Sequence, residues 1–198
     1  MQRKIGTLFL IQMLLLLAIL PVSTLAGDPD DPEITDDLDD TYMPHLDIKS
    51  AWFFENPDEP QYLFTALEVK SINLKANAVL SIRWSYKGTE YVSALDTYLF
   101  KKDVFRSGDP KQASHWQWIH LPKCEGTINQ ETNVITWKIL KSNIGNPGKD
   151  DILTNTRAAA VPSGWISFIY FLTGRDYRDF APNEQGMYGL DYQIQYTA

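Results

Sequence analysis

From Gly27 the chain reads GDPDDPEITDDLDD, which sets eight carboxylates between Asp28 and Asp40. Carboxylate oxygens at this density suit a hard divalent cation, and calcium takes about six to eight oxygens that need not be neighbours in sequence. The stretch is not an EF-hand, because no register places a glycine at the sixth loop position. A second oxygen-rich stretch, RDYRDFAPNEQG, begins at Arg175 and includes Asp176. If the first and last strands of the domain lie side by side, Asp36, Asp37, Asp39 and Asp40 meet Asp179, Asn183 and Glu184. Calcium is the expected ion, since collected carboxylates repel and raise one another's pKa, and a bound cation removes that penalty. The competing expectation is a solvated, flexible acidic leader, the default at this charge density. Ile34, Leu38 and Tyr42 are the side chains available to anchor it.

Aromatic side chains form the next constellation. The chain has six tryptophans and ten tyrosines. Trp116 and Trp118, in SHWQWIHLPKC, share strand parity and so face one side, and Trp165 lies in a segment of small residues. Exposed indoles are the usual platform for sugar rings, with nearby charged and amide groups bonding the hydroxyls. Trp116, Trp118 and Trp165 are therefore the candidate carbohydrate-binding residues, with burial in the core the alternative for each. Trp52, Trp84 and Trp137 sit among alternating apolar residues and are expected inside. His115, His120 and Cys124 are transition-metal ligand types. On a strand, however, positions 115 and 120 point to opposite faces, and no histidine follows Cys124 as a blue-copper site would require. A small buried thiol and two ordinary histidines are the simpler expectation.

Motifs for catalysis are missing: the chain has no Gly-x-Ser-x-Gly, no His-Glu-x-x-His, no Walker loop and no Gly-x-Gly-x-x-Gly. The Glu-x-Asp-x-Glu strand of some sandwich glycosidases is missing too, although a carboxylate pair split between distant loops leaves no local trace. The expectation is a protein that is not an enzyme.

The elements that must position these residues follow a period of two. In AVLSIRWSY, Ala78, Leu80, Ile82, Trp84 and Tyr86 alternate with Ser81, Arg83 and Ser85, which marks a half-buried strand. Lys87-Gly88 follows, and Gly88 suits the positive φ of a tight hairpin into TEYVSALDTYLF. NVITWKIL places Ile135, Trp137 and Ile139 on one face, and the closing GLDYQIQYTA does the same with Leu190, Tyr192, Ile194 and Tyr196. IKSAWFF and QYLFTALEV are apolar on both parities, as strands covered on two sides are. ENPDEP, RSGDPKQ, GNPGKDD and APNEQG separate the runs, and LKSNIGNPG predicts one helical turn stopped by Gly145 and Pro147. The pattern predicts an all-β fold, an antiparallel two-sheet sandwich of about eight to ten strands.

Residues 1–26 have the parts of a secretory signal: Arg3 and Lys4, an apolar run from Leu8 to Leu20, and Thr24 and Ala26 placed for cleavage before Gly27. The apolar run is shorter than the roughly 20 residues of a spanning helix, so contact with a membrane is expected only through this segment before cleavage. The expected organisation is a signal over 1–26, an acidic leader over 27–44 and a single sandwich over 45–198, in a secreted or cell-surface protein. With one cysteine, Cys124, the chain cannot form an internal disulfide, so packing or bound ions must stabilise it. No Asn-x-Ser/Thr acceptor occurs, which together with the single cysteine fits a prokaryotic exported protein. Without residues 1–26 the net charge is −9, yet outside Asp28 to Asp40 there are 17 acids against 16 bases. A near-neutral body has no basic face to displace counterions from nucleic acid.

Three stretches, PEITDDLDD, DIKSAWFFENPDEPQYLFTALEVKSI and NVITWKILKSNIGNPGKDDIL, together resemble family 9 carbohydrate-binding modules and their DOMON-like relatives. The matching residues are Asp58, Gln61, Tyr62, Leu63 and Phe64, then Trp137, Ile139, Ile144 and Gly145. The resemblance implies a jelly-roll-like sandwich, stabilising calcium and a ligand slot between two aromatic rings, with a carbohydrate or cell-surface polymer as partner. Some relatives bind haem b through Met with His or Lys, and Met43 and Met187 are the only methionines after residue 26. The alternative to sugar binding is a cell-surface structural or adhesion domain that meets another protein.

Overall fold

Strand patterning of the kind read above is realised over most of the chain in a computed structural model, which describes residues 27–97, 104–112, 121–163, 177–183 and 187–198. Eleven strands are seen among the described residues: β1 (Ile34–Thr35), β2 (Ile48–Phe54), β3 (Tyr62–Val69), β4 (Ala78–Tyr86), β5 (Thr89–Asp96), β6 (Val104–Gly108), β7 (Glu125–Asn129), β8 (Val134–Leu140), β9 (Ile152–Pro162), β10 (Asp179–Ala181) and β11 (Tyr192–Gln193). One sheet runs β1-β2-β3-β8-β7 and the other β10-β9-β4-β5-β6, with β11 also on β9. The chain is thus all-β, two antiparallel sheets packed face to face.

Alternation decides what each sheet puts inside. Ala78, Leu80, Ile82, Trp84 and Tyr86 of β4 all join the main core, as their parity predicts, and so do Ile135, Trp137 and Ile139 of β8. The sheets meet through Phe53 and Trp84, edge to face with centroids 5.6 Å apart, and through Phe105 and Trp137 at 6.0 Å. Between them Thr65 and Ser93 satisfy each other at 2.9 Å, so these buried hydroxyls cost little. Trp52 is also buried, although alternation with core residue Phe53 turns it to the far side of its sheet. Lys87 and Gly88 both have positive φ, 48° and 78°, the pair of values that makes the β4–β5 hairpin tight. Lys141–Ile144 forms a single 3₁₀ turn ended by Gly145 in the left-handed region, where the sequence places its stop.

The closing run departs from the sequence expectation, and the acidic stretch takes the anchored of its two expected forms. In the closing run only Tyr192–Gln193 pairs as a strand, and Leu190 is 64% exposed while Tyr192 and Ile194 are buried. The reason is local: Leu190 N–H donates to Glu33 O and Leu190 O accepts from Thr156 Oγ1, which spends its backbone outside a regular ladder. The acidic stretch, in turn, is folded onto the sandwich from Gly27 onward. Ile34 is fully buried, β1 adds to the edge of β2, and the path continues into buried Leu46 without a break at residue 44.

Candidate metal centre

Three carboxylates converge where the acidic stretch meets β10: one oxygen from each of Asp36, Asp40 and Asp179 lies within 4.8 Å of the others. The backbone explains how residues so far apart in sequence meet. Asp36 N–H donates to Lys49 O at 3.1 Å, extending the β1 pairing by one residue. The chain then reverses at Asp39, whose φ of 73° is a conformation that aspartate tolerates better than most residues. Asp39 N–H is capped by both oxygens of Asp47, at 3.2 and 3.0 Å. Lys70 pairs with the Asp39 carboxylate and stands 3.5 Å from Asp47, which pins the turn. Asp40 thereby returns towards Asp36.

The third ligand comes from the opposite end of the chain. β10 runs antiparallel to β9, with Asp179 opposite Ala160. Its inward parity buries Asp179, and its Oδ2 accepts the Ile48 N–H at 2.6 Å, which fixes the carboxylate between the sheets' edges. Thr41 Oγ1 donates to Tyr177 O at 3.4 Å and the Tyr42 and Tyr177 rings meet edge to face at 6.0 Å, so the acidic turn and the approach to β10 are joined beside the trio as well.

Electrostatics at this point are unfavourable for bare carboxylates. Burial first, then Asp179 and Asp40, push Asp36 up to about 8. Burial also dominates at Asp179, which is held at about 6 with Asp40 and Asp47 adding to the rise. Asp47 is raised by burial and by Asp40. Both oxygens of Asp36 are buried without a hydrogen-bond partner. A buried acceptor left so costs about 1–3 kcal/mol, and more when it is charged. An all-oxygen donor set with an unpartnered carboxylate fits a hard cation such as calcium or magnesium, and the absence of sulfur and imidazole from the trio disfavours a softer metal.

Of the expected ligands, then, Asp36, Asp40 and Asp179 are brought together. Asp37 is exposed and outside the trio, and Asp39 is turned to Lys70 instead. Asn183 is exposed just beyond β10, and Glu184 and Asp176 lie outside the described residues, as do Trp116, Trp118, Trp165, His115 and His120. Cys124 is half-buried and burial pushes its thiol up to about 11, the inert behaviour expected of a packed thiol. Met43 packs against the core and Met187 is 53% exposed.

Sequence reasoning missed two acids. Asp47 is fully buried and organises the Asp39 turn, and Glu33 is 2% exposed with its Oε2 accepting Phe53 N–H at 2.9 Å. The available signal was adjacency to core residues, not parity: Asp47 lies between Leu46 and Ile48 and Glu33 immediately precedes Ile34, and alternation alone turns both acids away from the core. No protein-family profile matches the chain, and neither a curated protein nor a solved structure is significantly similar to it.

Proposed function

We propose that the chain is an exported, non-catalytic binding domain, stabilised by calcium and recognising carbohydrate through aromatic side chains. The observation that carries this reading is the Asp36, Asp40 and Asp179 trio, in which a carboxylate with two buried, unpartnered oxygens faces two others. Calcium there would join the acidic stretch to β10 and take the place of the disulfide that a lone cysteine cannot make. Support for a sugar ligand comes from the tryptophan-rich segments and from the likeness to family 9 modules, whose calcium accompanies a sandwich of this kind. The test is retention on a panel of polysaccharide gels in calcium and in chelator. Wild-type retention on at least one polysaccharide, lost in Trp116→Ala and Trp118→Ala at unchanged melting temperature, supports the reading. Variants that bind as the wild type does, or a wild type retained on nothing, overturn it.

A second reading, a face that meets another protein, has one observation in its favour. The outer side of the first sheet carries Phe54, Phe64 and Tyr62 in adjacent register positions, with Leu140 opposite Tyr62. The two phenylalanines stack on each other at 5.0 Å and Lys138 sits over the Tyr62 ring at 4.4 Å. Ring faces already occupied in this way suit a flat protein partner better than a stacked sugar.

A further inference from the structure

Gly27 is held more closely than a leader residue needs to be. Its φ is +112°, and a Cβ there would lie 1.9 Å from Phe53 O and 3.1 Å from the Tyr192 ring, so glycine alone fits. Its N–H donates to Asp31 O at 3.4 Å, and residues 28–31 close a turn in which Asp28 Oδ1 accepts from Asp30 N–H at 2.7 Å and Asp31 N–H at 3.0 Å. The turn presses Gly27 against one edge of β2.

Glu33 stands against the same peptide edge. A strand residue's N–H and C=O point to the same side. Glu33 Oε2 takes the N–H of Phe53, and Gly27 abuts its C=O. Glu33 Oε1 is buried with no partner, while the Glu33 main-chain carbonyl accepts Leu190 N–H at 2.7 Å, which holds the residue's backbone in place. Its ionised form is disfavoured by burial and then by the like charges of Asp31 and Asp28. A buried carboxylate in this state lacks a cation.

Cleavage supplies one. Hydrolysis of the Ala26–Gly27 bond consumes a water and leaves a carboxylate on Ala26 and an α-ammonium on Gly27. The single amide donor becomes three, enough for Asp31 O, Phe53 O and Glu33 Oε1 together. We propose that the α-ammonium of Gly27, created by removal of residues 1–26, pairs with the buried Glu33 carboxylate and locks the new N-terminus onto β2. The pair rests on the export reading for its origin, but it is distinct from both the cation site and the sugar platform. Maturation of the chain is then a stabilising event, and the glycine at the cleavage point is a structural requirement.

Three chains test this, one beginning at Gly27, one retaining Ala26, and one beginning at Gly27 with its α-amine acetylated, each with Glu33 and with Glu33→Gln. All are melted in calcium and again in chelator, so that failure of the cation site leaves the comparison intact. The free Gly27 chain is expected to melt about 4 °C above the other two, and the gap to vanish in Glu33→Gln. Its α-amine should also acylate at least tenfold more slowly than that of a GDPDD peptide, a readout on the wild type that survives if Glu33→Gln does not fold. Equal melting temperatures, a gap of the same size in Glu33→Gln, or peptide-like acylation overturns the pair. Intact mass of the protein exported from a bacterial host tests its origin separately: a start at Gly27 supports it, and any other start overturns the cleavage reading while the melts still judge the pair.

Discussion

Replacing Asp36 by asparagine should make the protein more stable without calcium and blind to it. Asp36 and Asp179 offer oxygens within 4.8 Å of each other, and at an effective dielectric of about 20 two such charges repel by roughly 3 kcal/mol. That repulsion is fully developed only when both are ionised, which for Asp36 means above about pH 8. Melts are therefore recorded at pH 8.5. If calcium binds with the roughly 10⁻⁴ M affinity of extracellular sites, 10 mM calcium is about a hundredfold excess and contributes about 2.7 kcal/mol. For a domain of this size each kcal/mol moves the melting temperature by about 2–4 °C, so the wild type should gain roughly 5–10 °C over the chelated protein. Asp36→Asn in chelator should melt several degrees above chelated wild type, because the repulsion is gone, and should gain less than about 1 °C from calcium. Identical wild-type melts in calcium and chelator would refute the argument. So would an Asp36→Asn protein that still responds fully, since the unpartnered oxygens on which the reasoning depends would then be irrelevant.

Three further outcomes follow from other parts of the fold. Lys141→Met leaves the buried Glu55 carboxylate without its cation at 2.6 Å and should cost about 3–5 kcal/mol by chemical denaturation, with Lys141→Met/Glu55→Gln recovering part of the loss. In a chain that keeps Ala26, Glu33 is held near 7, above its unfolded value, so its contribution to stability is complete below about pH 4.3 and is lost as pH rises through about 7. The loss amounts to roughly 3 kcal/mol, and a Glu33→Gln chain measured in calcium should show a shallower decline over that window. Cys124, its thiol raised to about 11, should react with iodoacetamide at pH 7.5 at least about a hundredfold more slowly than a free cysteine, and a free-thiol rate would contradict the packing described for it.

Strands were legible in the sequence because period two is a local property. β4 and β8 put inside the residues that parity selects, and Gly88 announces the hairpin by the positive φ that it alone takes without strain. The closing segment was not legible in the same way. Leu190 has the right parity but its backbone is claimed by Glu33 and Thr156, and nothing in GLDYQIQYTA foretells partners more than thirty residues distant. The metal trio falls between these cases. Composition shows that Asp36 to Asp40 and Asp179 are oxygen-rich, and the expectation that the first and last strands of a sandwich lie side by side supplies a reason to join them. Which acid of the cluster turns inward depends on the Asp39 reversal and on Asp47 and Lys70, a tertiary arrangement that spacing does not encode.

A single physical problem recurs at the seam where the two ends of the chain meet. Where pairing runs out, at the ends of β2 and past β11, N–H groups are left without a ladder partner, and this protein satisfies several of them with carboxylates rather than with backbone. Glu33 accepts Phe53 N–H, Asp179 accepts Ile48 N–H, and Glu55 accepts Gln195 N–H at 2.6 Å and Tyr196 N–H at 3.3 Å. Such bonds are strong because the acceptor is charged, but each draws a charge out of water, and the charge then needs a counterion. Glu55 has Lys141, whose ammonium is itself fully buried and also donates to Tyr196 O. By the same logic, on the readings proposed above, Asp179 with Asp36 would take a cation from solution and Glu33 would take the ammonium that a cut before Gly27 creates. On those proposals the side chain, the ion and the new terminus are three answers to one demand. With no internal disulfide available, Lys141 holds the C-terminal segment to the sandwich, and the proposed ion and terminus would do the same for the acidic stretch.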